Sequence, residues 1–215
     1  MAELVLLPLF PLSLVACPCE PVSLHIFEER YKQMMADIQG QAGSPCFGIL
    51  LQDERGLAHI GCRVELTEVV NRYPGGELDI RTCGRDRFEV LNYVEDRPYL
   101  RGEIRSIADV VEEIDQERSE RVMQLHDTLV GLADGKVLPL SDRCDCRVLS
   151  YKMAHSSGLC LQEKQRLLEC CSENERLDLL EGHFSKLIPR LQEAKVLRER
   201  ICQNGHFVRP PGASL

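Results

Sequence analysis

From Ala58 to Val70 the even-numbered positions are Ala, Ile, Cys, Val, Leu, Glu and Val, with mostly polar residues between them. A two-residue period lays one apolar face of an extended chain against a core, so this run predicts a strand. Shorter runs of the same kind surround it. Leu4 to Phe10 predicts a buried strand ending at the Phe10-Pro11 step, and Cys46 to Leu51 predicts another. Tyr73-Pro-Gly-Gly76 has turn composition, after which Leu78 and Ile80 share one face of a returning strand. Beyond Gly84, Phe88 and Val90 point inward on a further run, and Tyr99 to Ile107 predicts a last strand. The period turns helical once within this half. Tyr31, Met34, Met35 and Ile38 fall on one face of a helix over 28–38, and Gly40 is its stop.

Near residue 110 the helical period takes over. Val122, Leu125, Leu129 and Leu132 line one face of a helix over 116–132, and 144–154 and 161–171 read as two shorter helices. Ser172 with Glu175 has the spacing of a capping box, in which the hydroxyl accepts from a free amide and the glutamate reaches back. It opens a long helix over 173–203 with Pro189 inside, where the missing backbone donor predicts a kink. The pattern predicts an α+β protein in three parts. Residues 1–110 form a β-rich unit with one early helix, 111–205 a helical bundle with a long last helix, and 206–215 a flexible Pro/Gly-rich tail.

Composition narrows the function classes. The chain has 215 residues, 44% hydrophobic and 28% charged, which suffices for a sizeable core. A net charge of -8 argues against nucleic acid and against anionic membrane surfaces, since both need a concentrated basic face. No run approaches the roughly 20 apolar residues that span a bilayer. The opening MAELVLLPLFPLSLVACPCEP lacks a basic leader, carries Glu3 and is broken by Pro8 and Pro11, which argues against export. Eleven cysteines is an odd count, and Cys46 and Cys62 sit within apolar patterns. Reduced, buried thiols and a cytoplasmic location follow.

Candidate chemistry is thin. Gly131-Leu-Ala-Asp-Gly135-Lys136-Val137 approaches a phosphate loop but is one residue short and lacks the Ser/Thr that holds magnesium. His155-Ser156-Ser157-Gly158 places a base beside hydroxyls without the orientation a nucleophile needs. Cys17-Pro-Cys19, Cys144-Asp-Cys146 and the Cys202/His206 pair are the metal candidates, and their spacing suits a zinc knuckle poorly. Glu28 and Glu29 read as a solvated face or as partners for Arg30. The chain is therefore expected to be no enzyme and to need no cofactor. A cysteine-based metal or redox protein is the reading that competes.

The opening LPLFPLSLVACPCEPVSLHIFEERYKQMM resembles the signature of the Lon protease N-terminal, or LON substrate-binding, domain family. The match lies in Pro8 to Leu12 and in Ile26 to Tyr31. It continues in order through Phe47-Gly48-Ile49, Gly61 with Val64, Pro74-Gly75-Gly76, Gly84 to Phe88, Pro98-Tyr99 and Glu163-Lys164-Gln165. Each motif is weak alone, but their order and spacing are specific. The resemblance implies a PUA-like pseudo-barrel followed by a helical bundle. It also implies a part in recognising unfolded or tagged polypeptides, without the ATPase and peptidase of full-length Lon proteases, for which this chain ends too early. An adaptor for a folded partner, or for a protease acting in trans, is the alternative. Phe27, Tyr31, Arg85 and Arg87 are the candidate peptide contacts, because aromatic and arginine side chains dominate binding hot spots. A strip near Leu187 and Leu191 is a second candidate contact, or the seam of a homodimer.

Overall fold

The computed structural model describes residues 4–40, 43–132 and 148–204. The strands are β1 (Val5–Leu12), β2 (Pro21–Ile26), β3 (Cys46–Asp53), β4 (Gly56–Leu57), β5 (Ile60–Arg72), β6 (Leu78–Val94) and β7 (Arg101–Ile107). The helices are α1 (Glu29–Gln39), α2 (Gln116–Leu132), α3 (Leu149–Ala154), α4 (Leu161–Glu169) and α5 (Glu173–Asn204). The Cys144/Cys146 pair, most of the Gly131–Val137 segment, His206 and the tail lie outside the described residues.

The sheet runs β1-β7-β6-β5-β3, and β1 also pairs with β3, which closes the ring into a pseudo-barrel. β1 makes this closure by changing partners along its length. Val5–Pro8 pair antiparallel with β7, and Leu9–Leu12 pair parallel with β3. Contrary to the sequence expectation, the strand continues through Pro11. Each proline sits in a half that is paired on one edge only, which leaves room for its missing N–H. β2 adds to the outside of the first half of β6.

The phase of the alternating pattern is reset by bulges. Cys62, Val64 and Leu66 are buried as expected, but Thr67 and Val70 are extra residues opposite β6, so Val69 packs on the core while Val70 is exposed. β6 crosses Gly84 without a break, and Arg85 is its bulge residue there. Glycine at 84 is required by crowding, because a Cβ would run into the backbone carbonyl of Cys17. α1 buries Tyr31, Met34, Met35 and Ile38, the predicted face.

One apolar cluster runs from Phe10 and Phe47 in the barrel through Tyr151, Leu168, Leu180 and Phe184 in the helices. At the start of α5, Ser172 Oγ accepts from the Glu175 amide at 3.1 Å, as a capping box requires. The reciprocal arm is replaced. Glu175 accepts from the Cys170 thiol, and Glu112 accepts from Ser172 and from the Asn174 amide. α5 is one helix through Pro189, with Leu177, Leu180, Phe184 and Ile188 buried and residues 192–200 exposed.

Candidate functional site

The four sequence-predicted contacts fall into two exposed and two buried residues. Tyr31 is 4% exposed, with its ring centroid 3.9 Å from that of Phe10 and the Arg30 guanidinium over the ring at 4.6 Å. Arg87 is 3% exposed and donates to the Leu168 and Cys170 carbonyls at 2.9 and 2.6 Å, with Asp109 as its counter-ion. Asp109 also pairs with the wholly buried Arg176, which donates to Glu173 at 2.9 Å. This network ties the barrel to the start of α5. Glu28 accepts from Arg30 at 2.9 Å, one of the two readings its sequence setting offered.

Phe27 is 61% exposed at the end of β2. The His25 ring stacks 5.9 Å from it, and Tyr73 meets His25 edge-on. Below them, hydrogen bonds from Asn71, Tyr73 and His25 hold the Asp79 carboxyl down at about 2. Arg85 lies farther along β6, roughly 20 Å from the Ile26/Leu78 pair at strand rise. The two exposed candidates therefore do not touch, although one extended chain of several residues spans the interval between them.

Arg85 borders a groove of about 460 Å³ at the barrel seam. Its origin is the partner change in β1. Leu9 pairs with Gly48, yet Val5–Pro8 have no partner on the β3 side among the described residues. One wall is this open strand edge, and the other carries Cys46, Arg63, Glu65 and Arg85. Arg85 pairs with Glu65, and Arg63 with Asp86 at 2.7 Å. The Glu65 carboxyl is held low by its Arg85 hydrogen bond. Leu4, Val5 and Leu6 are 60%, 41% and 44% exposed beside the groove, an apolar edge bounded by a charged rim. An open edge offers main-chain hydrogen bonds, and alternate side chains supply specificity.

The other motifs serve structure. Cys17-Pro-Cys19 is a tight turn: the Glu20 amide donates to Cys17 O at 3.1 Å, and Cys19 takes a φ of 65°. Glu20 is 5% exposed and accepts from the Cys17 amide, from Lys164 at 2.6 Å and from His155 at 3.0 Å. Burial alone would raise its pKa. The His155 hydrogen bond and the Lys164 charge outweigh that and hold the carboxyl below its ordinary value. His155 is thus engaged away from Ser156, whose hydroxyl lies 2.9 Å from the buried His126 instead. Burial pushes the Cys62 thiol far up and those of Cys46 and Cys170 up, which disfavours the reactive thiolate. Among the described residues no group of three or more His, Cys, Asp or Glu is placed to hold a metal. Among them, too, no helix is long and apolar enough to cross a membrane.

A cleft that the sequence reading missed lies between the β3–β4 hairpin and α4, lined by Leu51, Arg55, Leu57, Gln165 and Arg166 among others. The Glu163-Lys164-Gln165 motif was its only trace in the sequence, and nothing there assigns these residues a role.

Residues 6–185 match the family model described as the ATP-dependent protease La (LON) substrate-binding domain. The crystal structure of a Lon N-terminal domain protein from Xanthomonas campestris superposes with a TM-score of 0.65 at 26% identity, covering 83% of this chain and 98% of that one. The N-terminal domain of Mycobacterium avium complex Lon protease gives 0.62 at 16% identity, covering 84% and 98%.

Proposed function

The chain belongs to the LON substrate-binding domain family, and from that premise we propose that it is a non-catalytic module binding unfolded or tagged polypeptides. The observation that carries the proposal is the open edge of β1 at Val5–Pro8, set beside exposed Leu4–Leu6 and the Arg85 rim. An extended client adds to that edge by main-chain hydrogen bonds and lays apolar side chains on Val5 and Leu6. Phe27, His25 and Tyr73 form a separate aromatic contact for a longer client. Tyr31 and Arg87 act from within by fixing α1 and β6. A cytoplasmic site of action belongs to the same proposal and is supported by the thiols of Cys46, Cys62, Cys160, Cys170 and Cys171.

Ordering a flexible client offsets part of the contact energy, so the expected Kd is about 1–100 µM. Fluorescence anisotropy with a labelled, permanently unfolded polypeptide tests this. Leu6→Glu and Arg85→Ala should each weaken binding at least about fivefold while leaving the circular dichroism spectrum unchanged. If native proteins bind and unfolded ones do not, the module is an adaptor. That second reading is favoured by Val196 and Leu197, exposed at 46% and 60% on the projecting end of α5, where a folded partner can dock.

A further inference from the structure

The cleft between the β3–β4 hairpin and α4 has a volume of about 520 Å³ and differs in kind from the seam. Gln162, Gln165, Arg166 and Glu169 reach it from one face of α4, at the i, i+3, i+4, i+7 spacing that aligns helical side chains. Gln165 is 7% exposed, and its amide donates to Ile60 O at 3.0 Å and to Glu169 Oε1 at 2.9 Å. With both donors on oxygens the amide cannot be turned over. Its Oε1 is then a buried acceptor with no donor among the described residues, a state that native interiors rarely leave unmet.

The arginines add an independent observation. Among the described residues, Arg55, Arg166 and, on the exposed end of α5, Arg190, Arg198 and Arg200 meet no side-chain oxygen, whereas the other arginines do. Arg55 and Arg166 are the two of these that come together, and they line this cleft, in a chain whose net charge is -8 and in which carboxylates are plentiful. Asp53 Oδ1 accepts the Arg55 backbone amide, so the hairpin turn that carries Arg55 is held in shape.

We propose that the cleft binds the C-terminal residue of a polypeptide. Its carboxylate sits with Arg55 and Arg166, its backbone N–H donates to Gln165 Oε1, and its side chain rests on Leu51, Leu57 and Ala58. This rests on the polypeptide-binding reading and deepens it by naming the part of the client that is read. A terminal residue is the one peptide unit whose carboxylate and N–H share a single Cα, so it matches two cations and one acceptor in a confined space. Asp53 and Glu169 also line the cleft and balance the two arginines, which selects for one carboxylate and against an acidic run. Oε1 is shielded from solvent, so admitting the donor requires a neighbouring side chain to move aside.

The test uses three fluorescein-labelled peptides of one sequence ending in Leu: the free acid, the C-terminal amide, and the amide with one internal Asp. Anisotropy titration against the full chain should give the free acid a Kd about tenfold below that of either amide. Arg55→Ala and Arg166→Ala should each bring that ratio towards one without lowering the thermal midpoint, since both side chains are exposed. Arg85→Ala should weaken all three peptides and leave the ratio standing. Equal binding of acid and amide to the wild-type chain would overturn this inference while leaving the polypeptide-binding proposal intact. So would parity of the internal-Asp peptide, or an acid preference that survives both substitutions. Failure of every peptide and every unfolded chain to bind the wild type would sink the parent proposal as well.

Discussion

Arg85 and Arg87 stand two positions apart on β6 and act in opposite senses. Strict alternation would put both on one face, but the bulge at Arg85 shifts the phase, so Arg87 turns inward and Phe88 is buried beside it. Arg87 then meets two helix-end carbonyls and Asp109, while Arg85 pairs with Glu65 on a half-exposed rim. We predict that Arg87→Ala costs about 3 kcal/mol of folding stability, because it strands buried acceptors and half of an ion-pair network. Arg85→Ala should cost less than about 1 kcal/mol, as solvent screens exposed pairs. Urea denaturation of the two variants checks this, and equal losses would contradict it. The same residues mark the limit of what the sequence tells. Arginine composition flags a hot spot, but side-chain direction depends on a bulge, and a bulge is set by pairing with a strand far away in sequence. Tyr31 was legible as a core residue from its helical spacing with Met34, Met35 and Ile38. The exposed Phe27, just before that helix, was legible only as an aromatic.

At the scale of elements, the joints between barrel and helices are polar as well as apolar, and this the sequence concealed. Glu20 is the clearest case. The 17–20 turn buries its carboxylate against Lys164 of α4 and His155 after α3. Its folded pKa lies below the ordinary value of 4.5, so the unfolded chain takes up the proton first as pH falls. The joint is therefore fully effective above the unfolded pKa and is lost as pH drops through the lower folded value. Glu20→Gln should cost about 3 kcal/mol at neutral pH by leaving Lys164 without its charge partner. Its stability should also fall less steeply than the wild type's below about pH 4.5. Denaturant titrations across pH 3 to 7 compare the two slopes, and parallel curves would assign the acid sensitivity to other carboxylates. For α5 the sequence reading located the strip one to two turns early. Leu187 and Leu191 pack on the core, and Val196 and Leu197 are the exposed pair. Replacing Val196 and Leu197 by Gln should change stability by less than about 0.5 kcal/mol, yet abolish capture of any folded partner that docks there.

The whole molecule combines a ring of strands with a helical lobe whose described buried apolar residues belong to a cluster shared with the strands. The change of period near residue 110 made the two parts legible, because local spacing alone distinguishes strands from helices. The barrel keeps a small cluster of its own, Leu7, Leu9, Leu50, Phe88, Val90 and Ile104, but its other face shares an apolar cluster with the helices, and this was not legible because it follows from contacts between residues far apart in sequence. Phe10, Phe47 and Met34 on one side belong to the same apolar cluster as Tyr151, Leu168 and Leu180 on the other. The Arg87–Asp109–Arg176 network, the Glu20–Lys164 pair and the Gln165–Ile60 hydrogen bond cross the same boundary. Exposing either face alone would uncover apolar surface and strand buried charges together, and both penalties oppose a half-folded state. The chain is therefore expected to unfold in one cooperative transition rather than lobe by lobe. Leu180 on α5 is fully buried, and Leu180→Ala should cost about 2–5 kcal/mol by opening a cavity. In a single unit that loss is felt in the barrel too. With one fluorophore on Cys160 in an otherwise cysteine-free chain and the barrel followed by amide hydrogen exchange, both probes should shift to the same lower denaturant midpoint. A helical signal that moves alone, with barrel amides still protected as in the wild type, would mean that the lobes fold separately.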